Sequence, residues 1–174
     1  SLKGLKREGF RFVHILGSPE DADAVEIVRT PLWNDKRGEC GPFDIIGDVH
    51  GCYDELWALL TKLGYEKNAE GVMAHPQGRR AIFLGDLCDR GPKNMAVLRL
   101  VMDMTRFGAL CVPGNHDVKL LRWLSGRDVQ LTHGLQQTVD EISLESESFR
   151  AEAAKFLDGL VSHYVLDGGR LAVA

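Results

Sequence analysis

From residue 43 onward the apolar positions switch repeatedly between two periods. Residues 43–46 form a short apolar run of strand character. Over residues 53–63, Leu56, Trp57, Leu59, Leu60 and Leu63 recur at helical spacing and predict a helix with one buried stripe. Residues 81–84 are a second short strand, Pro92 opens a helix on which Val97, Leu100, Val101 and Met104 recur, and residues 109–112 are a third strand. Residues 120–160 read as mostly helical, with Phe149, Ala153, Phe156, Leu157 and Leu160 on one face of the last segment. Residues 163–174 read as a hairpin turning at Asp167-Gly168-Gly169. Strands alternating with helices predict a layered α/β fold with a largely parallel sheet.

The first forty residues have a different texture. Residues 10–16 read as a strand, and Ser18-Pro19-Glu20-Asp21 supplies an N-cap, a proline at N1 and early acids for a helix ending before Pro31. Residues 32–42 lack periodicity and are rich in polar residues and glycine, which marks a linker and a boundary. The chain has 174 residues, 44% of them hydrophobic, enough for one domain with a core. A formal charge of −4 argues against a basic surface gripping long nucleic acid and suits a substrate touched mainly at one phosphate. Cys40, Cys52, Cys88 and Cys111 show neither CxxC pairing nor zinc-ribbon spacing, no stretch has the apolar length of a membrane span, and a cytoplasmic location is expected. The polar N-terminus does not read as a signal peptide, and the lack of an initial Met is expected of a cut chain.

Each core strand ends in a glycine-flanked cluster of metal-ligand residue types: Gly47-Asp48-Val49-His50-Gly51, then Gly85-Asp86-Leu87-Cys88-Asp89-Arg90-Gly91, then Gly114-Asn115-His116-Asp117. Ligands of open α/β sheets bind outside the carboxyl ends of the strands, so three such clusters after three strands should converge in space. Asp48 and His50, two residues apart on extended backbone, point to one side and can grip one cation. Carboxylate, imidazole and amide oxygen without thiolate suit a borderline or hard divalent ion such as manganese, iron, nickel or zinc. In a two-metal site the ions lie roughly 3.5–4 Å apart and need a carboxylate that reaches both.

These blocks match, in order and in full, the GDxHG, GDxxDRG and GNH[DE] signatures of the calcineurin-like metallophosphoesterase superfamily, which the chain resembles. The resemblance implies a layered sandwich with helices packed on β-sheets, and a hydrolase using two divalent metal ions, with manganese or nickel favoured. It implies that Asp48 and His50 bind the first metal, Asp86 bridges both and Asn115 binds the second. Arg90 looks like the residue that holds the substrate phosphate, with Asn115 and His116 beside it. His116, supported by Asp89, looks like the group that protonates the leaving oxygen. A guanidinium forks onto phosphate oxygens and a carboxylate-paired histidine is oriented as an acid, so the chemistry agrees. The superfamily completes its metal site with two histidines downstream of a hairpin like residues 163–174, and this chain stops where the first, in an HAG-like motif, is expected. His163 lies on the wrong side of the hairpin to replace it. The domain is therefore expected to be C-terminally truncated.

A narrower resemblance rests on Glu8-Gly9-Phe10-Arg11-Phe12-Val13, Pro31-Leu32-Trp33-Asn34-Asp35, Gly41-Pro42-Phe43-Asp44-Ile45-Ile46, and residues 114–117 through Leu131-Thr132-His133-Gly134-Leu135. Together these look like the central phosphatase module of bacterial polynucleotide kinase-phosphatase. That resemblance implies residues 1–41 as the tail of an upstream kinase and its linker, residues 42–174 as the N-terminal part of the phosphoesterase domain, and kinase and ligase-like domains as partners in the parent chain. It implies removal of 2', 3' or 2',3'-cyclic phosphate from RNA ends in RNA repair. No Walker A motif occurs, so a kinase activity is not in this chain. Relatives acting on phosphoproteins or dinucleoside polyphosphates share the same three blocks, and Asp117, where protein phosphatases usually have Glu, weighs against the first. A non-catalytic scaffold fragment on this fold is the alternative of another class, kept open by the two histidines expected downstream, although a scaffold has no physical need of Asp48, His50, Asp86, Arg90 and His116 together. His133 is expected to be structural, with a substrate-facing role as the alternative. His14 and His75 are read as incidental, Cys52 and Cys88 as packing, and Trp33 as an anchor of the linker.

Overall fold

The computed structural model describes residues 4–5, 13–28, 30 and 32–174. The chain divides into two compact units, Ser1–Leu32 and Trp33–Ala174. In the first, helix α1 (Pro19–Asp23) starts as expected, with Ser18 Oγ accepting from the Asp21 amide at 3.1 Å and Pro19 in the first turn. It does not run on toward Pro31. None of its residues is buried, and a short helix without a packed face gains nothing by propagating. The expected strand at residues 10–16 is corrected where it is described: residues 13–16 are irregular, and residues 10–12 lie outside the described residues.

The second unit holds β1 (Asp35–Lys36), β2 (Phe43–Ile46), α2 (Tyr53–Lys62), β3 (Glu66–Lys67), β4 (Met73–Ala74), β5 (Arg80–Phe83), α3 (Asn94–Arg106), β6 (Leu110–Cys111), α4 (Asn115–Leu124), α5 (Leu135–Ser143), α6 (Glu147–Gly159), β7 (Tyr164–Leu166) and β8 (Leu171–Val173). Strands β2, β5 and β6 form a parallel sheet in that order, Ile45 opposite Ile82 and Phe83 opposite Cys111. Strands β1, β7 and β8 form a second sheet, in which β7 and β8 are the expected hairpin, closed by a short 3-10 turn at Asp167–Gly169. Residues 35–36, read as linker, instead pair in parallel with Val165 and Leu166. A two-residue strand has no period to betray it.

Side-chain alternation along the strands sets the layers. Ala81 and Phe83 of β5 face a core shared with α2, α3, α4, α5 and α6, while Ile82 faces Leu110, Leu166 and Val173 between the two sheets. Helix α3 is the axle of the larger core: Met95, Val97, Leu98, Leu100, Val101, Met102 and Met104 are all buried. Each fully buried apolar side chain of this size is worth about 1.5–3 kcal/mol relative to exposure. The helix begins at Asn94 rather than at Pro92 because the Lys93 amide is drawn off to the Gly51 carbonyl at 3.1 Å, leaving Lys93 at φ −136. On α2, Leu56 and Leu60 are buried as expected but Leu59 stays 41% exposed. Residues 120–160 are three helices, not one run. Gly126, at φ +72, ends α4, and Ser146 caps α6 by accepting from the Phe149 amide at 3.2 Å.

One buried charge anchors the start of β2. Asp44, 8% exposed, accepts from Arg79 Nε at 2.9 Å and from the Tyr65 hydroxyl at 3.0 Å, with a second, shorter bond from Arg79. His75, read as incidental, stacks edge-on against Tyr65 at 5.2 Å and bonds the Leu63 carbonyl, so it belongs to this anchor. The Arg79 hydrogen bonds hold the Asp44 carboxyl below the usual carboxylate range against the opposing effect of burial. A depressed folded-state pKa gives stability that is present above the ordinary Asp value and is lost as pH falls through the depressed one. Asp44→Asn should therefore cost about 1–3 kcal/mol at neutral pH, with the difference from the parent shrinking below about pH 4 in urea melts taken across pH. A difference that grows on acidification would contradict the assignment.

Candidate metal centre

The three parallel strands end at one edge of the sheet, and the loops that follow them are tied together by backbone bonds. The Asp86 carbonyl accepts from the amides of Val49 at 3.2 Å and His50 at 2.8 Å, and the Leu87 carbonyl accepts from Gly51 at 2.9 Å. The Asp86 carboxylate then reaches the third loop, its Oδ1 accepting from the His116 amide at 2.9 Å. Asp117 closes the arrangement from below, accepting from Leu87 at 3.1 Å and from Gly114 at 2.9 Å. It is 1% exposed, and burial pushes its carboxyl up to about 6 against the pull of those amides. His50, Asp86, Asp89 and Arg90 all sit at positive φ, of order 1–3 kcal/mol of strain apiece, which only a cross-braced site can hold.

His50, Asp86 and His116 offer ligand atoms that lie within 4.8 Å of one another. The His50 ring is oriented from behind: its Nδ1 lies 2.9 Å from the Cys88 carbonyl. A carbonyl only accepts, so Nδ1 carries the proton and Nε2 presents a lone pair, the arrangement seen when a histidine binds a metal. Asp48 Oδ2 is 3.8 Å from that Nε2 and its side chain is 66% exposed, open to the cleft. Asn115 is the exposed first residue of α4. Nitrogen from imidazole with oxygen from carboxylates is a donor set that fits a divalent cation. The Cys88 side chain points away and is fully buried. The structure thus brings His50, Asp86 and His116 together, with Asp48 next to His50 and Asn115 adjoining His116 at the start of α4.

His116 has a second attachment. Its Nδ1 is 2.5 Å from Asp89 Oδ2, and both groups are buried, at 3% and 0% exposure. With Nδ1 donating to the carboxylate, Nε2 is the nitrogen left for the cleft, edge-on to the His50 ring at 4.9 Å and 3.5 Å from Arg90 Nη2. Arg90 itself is exposed at the rim. His133 also lies at the surface, at φ +59, with Nδ1 3.0 Å from Thr132 Oγ1.

Three further residues support the site and were not singled out from the sequence. Thr138 bonds Asp89, Asn94 accepts from the Asp89 amide at 2.8 Å, and Glu141 accepts from Asn94 Nδ2 at 2.8 Å and from the Met95 amide at 3.3 Å. One signal did exist. Leu135, Val139 and Ile142 mark the buried face of α5, and Thr138 falls among them, a polar residue on an apolar stripe. A cavity of about 580 Å³ lined by Lys36, Met102, Arg106, Leu110, Phe156 and Tyr164 lies at the opposite end of α3 and holds none of the three clusters.

The profile of the calcineurin-like phosphoesterases matches residues 41–170. The chain belongs to that family. Its curated relatives include the asymmetrical bis(5'-nucleosyl)-tetraphosphatase PrpE of Halalkalibacterium halodurans, 55% identical over 111 residues, covering 63% of this chain and 45% of the relative. The enzymes of the same name from Geobacillus thermodenitrificans and Bacillus subtilis are 46% and 44% identical, over 75% and 76% of this chain and 55% and 56% of theirs. The chain spans about half the length of the curated relatives it matches. A crystal structure of a candidate diadenosine tetraphosphatase superposes with a TM-score of 0.58 at 24% identity, over 80% of this chain and 52% of that one, a likeness of fold. The calcineurin-like resemblance is borne out. The narrower one is not supported by these relatives, which are named for tetraphosphatases. Among the described residues no helix is long and apolar enough to cross a membrane.

Gly114 tests the cross-bracing. A Cβ there would fall inside the contact shell of Asp86 Oδ1 and of the Asp86 amide. Gly114→Ala should displace the Asp86 carboxylate and weaken manganese binding by roughly 10–100-fold, the range seen when support of a ligand is lost. Calorimetric titration giving parent-like affinity would show that the loop can yield without moving the carboxylate.

Proposed function

We propose that this chain is the metal-holding part of a phosphoesterase that cuts the phosphate chain of dinucleoside polyphosphates. The observation that carries this is the similarity to three enzymes named for that activity, in a chain whose family match, residues 41–170, includes all three ligand loops. Asp48 and His50 would hold one divalent ion, Asn115 the second, and Asp86 both, a role supported by its carboxylate lying within 4.8 Å of ligand atoms of both His50 and His116. The ions, when bound, supply Lewis-acid neutralisation of phosphoryl oxygens and activation of a water molecule. Arg90, exposed at the rim, forks onto non-bridging phosphate oxygens. His116 gives the proton on Nε2 to the departing oxygen while Asp89 holds Nδ1–H and steadies the imidazolium.

A second reading has its own observation. A buried, carboxylate-paired histidine matters most when the leaving oxygen is strongly basic, as in an ester of a ribose hydroxyl, and least when it is a phosphate oxygen. That geometry supports an ester of a sugar hydroxyl, a class that includes 2', 3' or cyclic phosphate ends of RNA. In this reading the unit at Ser1–Leu32, ahead of the matched residues, belongs to a neighbouring kinase domain.

The two separate on substrate. With manganese or nickel present, the full-length protein should convert diadenosine tetraphosphate to ATP and AMP about tenfold or more faster than it releases phosphate from RNA ending in 3' or 2',3'-cyclic phosphate. The reverse order would replace the first reading with the second, and no turnover of either would remove both.

A further inference from the structure

Asp89 is buried completely, and a buried carboxylate holds its place only if each oxygen has a donor. Oδ2 has the His116 ring. Oδ1 accepts from the Thr138 hydroxyl at 2.5 Å. The same hydroxyl accepts from the Asp89 amide at 3.1 Å, so Thr138 grips the residue at both ends. Thr138 is itself 0% exposed and comes from α5, which follows the three ligand loops in sequence and contributes none of the expected metal ligands.

The rest of α5 aims at the same segment. Gln137 Nε2 donates to the Gly91 carbonyl at 3.0 Å, and Glu141 holds Asn94, whose Oδ1 takes the Asp89 amide. The loop entering the helix lies directly on the motif: a Cβ on Gly134, at φ +97, would overlap the backbone nitrogen of Arg90 and crowd the Asp89 side chain. Asp89 and Arg90 both have left-handed backbone, at φ +74 and +67, and such residues stay put only when their neighbours over-determine them.

We propose that Thr138 is a positioning residue for proton donation, aligning Asp89 so that His116 Nε2 meets the leaving oxygen. This rests on the reading of His116 as the acid. A hydroxyl on the far carboxylate oxygen fixes the rotation of the carboxylate and thereby the plane and tilt of the imidazole. Loss of the hydroxyl should slow only the step in which the proton moves.

The variants are Thr138→Val, which keeps shape and removes the hydroxyl, and Thr138→Ser, which restores it. Each is made in the full-length protein and also combined with His116→Ala. Substrates are a nucleoside monophosphate, whose leaving oxygen is basic, and p-nitrophenyl phosphate, whose leaving oxygen is not. Thr138→Val should lower kcat on the nucleotide about tenfold, the order expected for one hydrogen bond to a charged group, with KM unchanged and p-nitrophenyl phosphate hydrolysis nearly intact. Thr138→Ser should recover most of the loss. In the His116→Ala background Thr138→Val should cost nothing further, because residues acting through one step are not additive. A Thr138→Val enzyme that slows both esters alike, shifts KM alone, or loses the same factor without His116 overturns the proposal, and so does unchanged kcat. If His116→Ala treats both esters alike, the acid assignment itself falls and the positioning role with it. If His116→Ala discriminates while Thr138→Val is inert, only the positioning role falls.

Discussion

Asp86 is bonded through two chemically separate parts, its carbonyl taking the amides of Val49 and His50 and its carboxylate taking the amide of His116. Everything at the carboxyl edge of the β2-β5-β6 sheet depends on this. Parallel strands place three loops near one another, but nearness alone leaves each loop free to move. Bonds from the middle loop to both outer ones turn adjacency into fixed relative position, and Asp117 repeats the tie from inside through Leu87 and Gly114. His50, Asp86 and His116, from distant parts of the chain, are thus already assembled, which would reduce the ordering that binding a cation has to impose.

The cores on either side of the sheet serve this edge. α3 runs under the site, and its first turn is satisfied by Glu141 from another helix, not by a cap of its own, since Lys93 makes no side-chain cap. A carboxylate at that helix start also matches the positive end of its dipole. The same Glu141 therefore settles where α3 begins and where Asn94 stands, and Asn94 in turn takes the Asp89 amide. Packing and chemistry are joined through a few polar side chains at the boundary of the apolar core.

The sequence made the framework visible wherever a feature was local. β2 is bounded by Pro42 and Gly47 and coincides with its expected range, and α2 ends one residue short of it. The three ligand clusters were visible as residue types beside glycines, and His50, Asp86 and His116, one from each cluster, do converge, with Asp48 next to His50. What was missed is non-local. β1 has two residues and exists only because β7 pairs with it, and the β3 and β4 pair is equally short. Thr138 and Glu141 lie 49 and 47 positions from the groups they hold, so no window of sequence could join them. The expected helix up to Pro31 failed for the opposite reason: its local signals were sound, but residues 21–28 are all exposed.

Cys88 illustrates how the motif separates backbone from side chain. Its carbonyl orients the His50 ring, while its sulfur is turned into the core and donates to the Asn94 carbonyl at 3.8 Å. Burial, reinforced by the carboxylates of Asp117 and Asp89, drives its thiol well above the ordinary range. A soft donor inside the motif is thereby kept from acting as a thiolate, although its own backbone steadies the centre. Cys88 therefore offers no sulfur to a thiophilic ion, and peroxides, which attack thiolates in contact with solvent, find none at that position.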